Sequence, residues 1–173
     1  MKYFLIGLLC AGVVFLLVSA FLPSDYEIER ELVIAAEPSE LFEAVADLRS
    51  WPDWSAWRRD ADPEAEWTIE GEPGPGQVMQ WSGPELGAGR LEWVAAEAPR
   101  ELVYVISMPD GSLSARGTIR FEPVQDAVRV HWSQTGGLDG TRMKWAGLFF
   151  DGWIGKQFEL SLQGLRDVVA GEV

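Results

Sequence analysis

Six short segments between Glu66 and Thr135, each closed by a turn signal, leave this chain few ways to fold. They are Glu66–Glu70, Gln77–Ser82, Gly89–Ala96, Glu101–Met108, Ser112–Glu122 and Ala127–Thr135. The stretches between them, GEPGPG, GPELGA, EAPR, PDG and PVQD, are rich in residues that pre-set turn dihedrals. Connections this short admit only antiparallel neighbours, because a parallel crossover needs about a dozen residues or more. In the clearest pair, Leu113, Ala115, Gly117, Ile119 and Phe121 alternate with Ser112, Ser114, Arg116, Thr118 and Arg120, while Val128, Val130 and Trp132 alternate with Arg129 and His131. A sheet so patterned has one apolar face and one wet face.

The apolar face needs a cover, and both flanks contribute to it. Upstream, Tyr26, Ile28, Leu32 and Ile34 alternate with Asp25, Glu27, Glu29, Glu31 and Val33, which adds a seventh strand whose inward phase is interrupted only by Arg30. Pro38 and Ser39 then open a short amphipathic helix, with Leu41, Phe42, Val45 and Leu48 at helical spacing and Glu40 and Glu43 in its first turns. The stretch WPDWSAW from Trp51 to Trp57 repeats Trp every third residue, which sets three rings on one flank of a helical turn. Downstream, from about Arg142 to Ala170, Gly147, Phe150, Ile154, Phe158, Leu162, Leu165 and Val169 fall at steps of three and four and describe one long amphipathic helix, ended by Gly171. The expected class is α+β, a seven-stranded antiparallel sheet curved around a long C-terminal helix.

Ahead of this domain lies YFLIGLLCAGVVFLLVSAFL, Tyr3 to Leu22, a run of 20 residues without a charge. At about 1.5 Å per residue it reaches roughly 30 Å, the thickness of a bilayer's hydrocarbon core. The expectation is a single-pass transmembrane anchor over residues 1–22 and a domain over residues 23–173. Lys2 precedes the run and Asp25, Glu27, Glu29 and Glu31 follow it, so the positive-inside rule places the N-terminus in the cytoplasm and the domain outside. The alternative is a signal peptide cut after Val18 and Ala20, leaving a secreted domain, although such peptides ordinarily carry an apolar region of only about 7–15 residues. Cys10 follows Leu9 in this run and reads as a lipid-facing or packing residue.

Composition excludes several functions. With 27 acidic against 14 basic residues the formal charge is −13, and setting Lys2 aside leaves 13 basic residues against 27 acidic on the domain. That balance opposes the counterion release that drives nucleic-acid binding. One Cys rules out an intrachain disulfide, a thiolate zinc site and an iron–sulfur cluster, and a histidine-based metal site would have only His131. No metal and no cofactor are expected. His131 shares its strand phase with Arg129 and belongs on the outer face. The Gly-rich GEPGPGQ lacks the Lys-Ser/Thr of a phosphate cradle and reads as a turn.

The opening YEIERELVIAAEPSELFEAVADLRSWPDWSAW and the ending GLFFDGWIGKQFELSLQGLRDV resemble the START-like or SRPBCC superfamily, in particular its polyketide cyclase/dehydrase and lipid transport group. The resemblance covers the whole of residues 23–173. It implies a helix-grip fold with a cavity between the long helix and the concave sheet, usually for a lipid, sterol, polyketide or other apolar molecule. It carries no universal catalytic motif, so no catalytic residue follows from it. In many bacterial members a similar hydrophobic segment precedes the domain, in keeping with a membrane-anchored member.

The nine Trp are the main functional clue, since they exceed what a core of this size needs. Trp132 and Trp67 fit simple core packing, whereas Trp51 and Trp145 belong to the excess. The candidate ligand-binding residues are Trp54, Trp57, Met79, Trp81, Trp93, Tyr104, Ile106, Met108, Phe149, Phe150 and Trp153. An exposed aromatic patch facing a bilayer or a protein partner is the alternative use of such rings. Asp151 interrupts the aromatic run LFFDGW; an ion pair with an Arg of a neighbouring element is the favoured reading, and a contact to a polar end of the ligand the functional one. The expected function is therefore binding or transport of a hydrophobic small molecule. The alternatives are a cyclase- or dehydrase-type enzyme using cavity Tyr or Asp residues, and a non-binding scaffold at the membrane.

Overall fold

The computed structural model describes residues 2–171, with the side chains of Lys2, Leu5, Leu8, Cys10 and Ala11 outside the described set. All seven expected strands form and join one antiparallel sheet: β1 (Asp25–Ile34), β2 (Glu66–Glu70), β3 (Val78–Gly83), β4 (Gly87–Glu97), β5 (Glu101–Ser107), β6 (Ser114–Val124) and β7 (Ala127–Gly137). The order β1-β7-β6-β5-β4-β3-β2 is a meander from β2 to β7, closed by the first strand lying against the last. The register sets Tyr26 opposite Gly136, Ile28 opposite Gln134 and Arg30 opposite Trp132. The phases read from the alternation hold: Ala115, Ile119, Phe121, Val128, Val130 and Trp132 are buried, and His131 lies on the other face with Nε2 3.7 Å from a Glu29 carboxylate oxygen.

Two glycines let large rings cross the sheet. Gly117 pairs with Tyr104 and Gly136 with Tyr26, and a Cβ at either position would overlap the facing tyrosine ring. The connection from β1 to β2 supplies α2 (Pro38–Ala46) and the single turn α3 (Trp51–Trp54), both opened by a proline whose fixed φ suits the first helical turn.

The C-terminal helix departs from expectation. In place of one helix from Arg142 there are two, α4 (Gly140–Gly147) and α5 (Phe150–Val169). Gly147, a poor helix former, closes α4 with its Cα against Leu138, where a side chain would collide. Restarting the helix at Phe150 brings that ring edge-on to Tyr26, centroids 5.1 Å apart. From there α5 buries Ile154, Phe158, Leu162 and Leu165 on the sheet, as the spacing predicts. Gly155 leaves room for the Arg30 guanidinium, and Gly164 brings α5 onto the backbone carbonyl of Trp54. The Ser161 hydroxyl accepts the Ala56 N–H (2.8 Å), tying α5 to the chain just after α3.

Before the domain, α1 (Lys2–Phe21) is a continuous helix of 20 residues. Among the described residues no helix is long and apolar enough to cross a membrane. The anchor expected over residues 1–22 is thus not supported by the fold, and part of it, Met1 and five side chains including that of Cys10, lies outside the described residues.

Candidate functional site

The concave face of the sheet is closed by α3, and local chemistry fixes how α3 enters. The buried Gln77 side chain accepts the Leu48 N–H (2.8 Å) and donates to Asp47 (2.8 Å), which also accepts the Arg49 N–H (3.0 Å). Partial burial pushes the Asp47 carboxyl up, but the hydrogen bonds from Gln77 and Arg49 and the charge of Arg49 outweigh it and hold the group below the usual carboxylate range. With the folded value depressed, this contribution to stability is present above the ordinary carboxylate pKa and fades as pH falls through the folded value. The Trp51 indole donates to the Val45 carbonyl (2.8 Å) and that of Trp54 to the Ser50 hydroxyl (3.2 Å).

Anchored this way, the fully buried Trp51 becomes the hub of an aromatic cluster. Its ring centroid lies 5.2 Å from Trp54, 5.5 Å from Trp93, 5.6 Å from Trp132 and 6.4 Å from Tyr104. Trp132 in turn stacks on Phe158 of α5 at 4.5 Å. The space left is about 10 Å³, room for about one water. Five expected residues, Trp57, Met79, Trp81, Tyr104 and Ile106, line it, joined by Trp51, Leu91 and Trp132. Trp54 and Trp93 are buried in the same cluster without bordering the void.

A buried polar chain crosses this core. Trp132 Nε1 donates to the Tyr104 hydroxyl, Tyr104 donates to Gln134 Oε1, and Gln134 Nε2 donates to the Tyr26 hydroxyl, each at 2.9 Å. Burial pushes the pKa of both tyrosines up, most strongly for Tyr104, so both stay neutral at physiological pH. Tyr104→Phe leaves the Trp132 N–H and a Gln134 oxygen unpaired, and it is expected to lower stability by about 1–3 kcal/mol. Urea unfolding checks this, and an unchanged midpoint would show that the chain is energetically idle. Among the described residues three buried side-chain donors lack a hydrogen-bond partner: Arg129 Nε on the outer face and, in this core, the indole N–H groups of Trp81 and Trp93.

The remaining candidates lie elsewhere. Met108 is half-buried and borders a broad, water-open groove of about 690 Å³ on the outer face, where Thr68, Gln80, Arg90 and Ser107 form a cross-strand row. Phe150 packs on Tyr26, while Phe149 (74% exposed), the N-cap of α5, and Trp153 (60% exposed), about 100° round the helix from the buried Ile154, point away from the cluster. Asp151 takes the ion-pair reading: its carboxylate lies 3.0 Å from Arg30 Nη1, and Arg30 Nε reaches Glu159 at 2.8 Å. Arg30, the polar intruder of β1, thus spans to α5. The carboxylate of Asp151, 72% exposed, is not aimed at the void. Trp145 stacks on Phe15 of α1, centroids 5.2 Å apart. Of the residues that sequence reasoning left out, Trp132 and Leu91 carried a usable signal: each is in the inward phase of a central strand. Among the described residues no group of His, Cys, Asp and Glu side chains is arranged to hold a metal ion.

Known proteins sharing this architecture include Ara h 8.0201, with a TM-score of 0.59 at 16% identity over 85% of this chain and 99% of that one. Norcoclaurine synthase from Thalictrum flavum gives 0.63 at 14% identity, over 84% of this chain and 87% of its own. The di-domain ARO/CYC StfQ of the steffimycin biosynthetic pathway gives 0.66 at 15% identity, over 86% of this chain and 52% of the longer di-domain chain. At such identities the likeness is one of fold. No curated protein matches the sequence. The family model for polyketide cyclase / dehydrase and lipid transport matches residues 26–170, from the first inward residue of β1 to the end of α5, and the chain therefore belongs to that family.

Proposed function

We propose that the protein binds a hydrophobic small molecule between α5 and the concave sheet, in a space that α3 opens and closes. The observation that carries this reading is the pair of buried indole N–H groups, Trp81 and Trp93, without acceptors among the described residues, beside a polar chain of Trp132, Tyr104, Gln134 and Tyr26 whose members are all paired. Each unsatisfied donor costs about 1–3 kcal/mol. An apolar ligand bearing a carbonyl or hydroxyl oxygen would remove that cost, and a polyketide or a lipid headgroup linkage supplies such an oxygen. Since the void is about 10 Å³, admission of a ligand requires α3 and its Trp51 to withdraw. A turn of four residues is the smallest element of the fold that can do so. The small void also favours a second reading, a solid-cored scaffold. The enzymatic reading, cyclase or dehydrase, draws support from the family alone.

The same proposal places residues 1–22 as a single-pass anchor, with the N-terminus cytoplasmic and the domain outside. It is supported by the uncharged run from Tyr3 to Leu22 and by the sign of the charges on either side of it. A secreted form would lack these residues, and the intact mass of the mature protein separates the two. For the cavity, the test is mass spectrometry of small molecules that co-purify with the full chain. A stoichiometric apolar compound is expected. A chain that repeatedly emerges empty, and stays empty after incubation with membrane lipid extract, favours the scaffold.

A further inference from the structure

We infer that α4 and the elbow between α4 and α5 form a second lipid contact, seated in the headgroup layer of an anionic bilayer with Trp145, Phe149 and Trp153 at the lipid boundary. The inference rests on residues 3–22 being membrane-inserted and goes beyond that reading.

Depth is the first argument. The Trp145 indole donates to the Ser19 hydroxyl at 2.8 Å, that hydroxyl donates to the Phe15 carbonyl at 2.7 Å, and the Trp145 ring lies flat on Phe15 with an interplanar angle of 6°. Ser19 and Phe15 stand three and seven residues before Leu22, where the uncharged run ends. At about 1.5 Å per residue they sit roughly 5 and 10 Å inside that end. A side chain that meets α1 at this depth cannot stand in bulk water once the run occupies hydrocarbon. It stands where tryptophan collects in membrane proteins, its ring in the boundary layer and its N–H on a polar partner.

The neighbouring surface is the second argument. Leu148 (53% exposed), Phe149 (74%) and Trp153 (60%) leave a contiguous apolar surface at the elbow, directly after the turn of α4 that carries Trp145. Charge supplies the third. The domain is strongly acidic, yet its only two lysines, Lys144 and Lys156, flank this surface together with Arg142. Asp151 and Glu159 are matched by Arg30 and, at 3.9 Å, by Lys156. Among the described residues Arg142 and Lys144 have no carboxylate within ion-pair distance, which leaves two cations on α4 for lipid phosphates. Long basic side chains at a membrane surface keep their stems along apolar surface and their charge in the headgroups. An anionic bilayer would repel most other faces of the domain, so the elbow is the face that can approach it.

The test uses the full chain with Cys10→Ser, an environment-sensitive fluorophore on Leu148→Cys, and Glu72→Cys as the distant control, reconstituted in vesicles containing phosphatidylglycerol. The fluorophore at 148 is expected to shift to the blue and to be quenched by lipids carrying shallow spin labels, whereas the one at 72 reads water. Arg142→Glu with Lys144→Glu is expected to reverse the shift at 148 while the protein still floats with the vesicles. A water-like signal at 148 in protein that floats overturns the inference and leaves the anchor standing. Protein that fails to float overturns both.

Discussion

Trp51→Ala is expected to lower the stability of the domain by about 3–5 kcal/mol. Trp51 is fully buried and its ring contacts those of Trp54, Trp93, Tyr104 and Trp132. Removing the indole merges its volume with the existing void into a cavity on the order of 100 Å³, which at about 24 cal/mol per Å³ accounts for about 2.4 kcal/mol, with the lost burial adding the rest. The new cavity is lined by aromatic and aliphatic groups and should stay dry and accept a small apolar guest. Free indole or benzene should therefore restore part of the lost stability, in proportion to the logarithm of its concentration once binding is saturated. Urea unfolding with and without indole checks both halves. A loss below about 1 kcal/mol would show that the site collapses around the deletion and that Trp51 is not the hub of the core.

Gly164→Ala is the second large effect. A Cβ there would overlap the Trp54 carbonyl oxygen and come within 3.0 Å of the carbonyl carbon, both backbone atoms. Neither can swing aside, so α5 must slide off α3 and carry Phe158 off Trp132. Overpacking of a fixed backbone ordinarily costs about 1–3 kcal/mol or more, and the upper end is expected here. Gly155→Ala is the informative contrast, because its Cβ would meet the far end of the flexible Arg30 side chain. That substitution should break the pairs to Asp151 and Glu159 yet cost only about 1 kcal/mol, the upper end for ion pairs still in contact with water. Thermal unfolding of the two variants side by side decides it: equal losses would mean that the approach of α5 to α3 is not backbone-limited.

Much of this architecture was legible because strand phase is a local property. Turn residues set the breaks, alternation sets the inward face, and short connections then force antiparallel pairing, so the sheet from β2 to β7 follows almost without tertiary information. Arg30 was legible as an intruder in its phase, and Asp151 as an acid needing an arginine, though their meeting across 121 positions is a product of the fold. The break between α4 and α5 was not legible. Gly147 fits a helical stripe by spacing, and only its contact with Leu138 and the pull of Phe150 toward Tyr26 end one helix and start another. The break leaves Phe149 exposed at the N-cap of α5, whereas Trp153 is exposed because it lies about 100° round the same helix from the buried Ile154. The candidate site was legible as a collection of inward aromatic residues on known strands. How completely they fill the space was not, because packing of Trp51 against four other rings depends on where α3 lands.

Whether this filled core opens for a ligand is decided most directly at the two unsatisfied donors. The indole N–H resonances of the isotope-labelled full chain, held in lipid nanodiscs, can be followed during titration with oleic acid and, separately, with the polyketide emodin. Binding as proposed predicts saturable shifts at Trp81 and Trp93, accompanied by Trp51 and Trp57 as α3 withdraws, while Trp153 stays unchanged. Resonances of Trp81 and Trp93 that stay fixed through both titrations, with any movement confined to Trp145 and Trp153, would contradict it and identify the core as permanently closed.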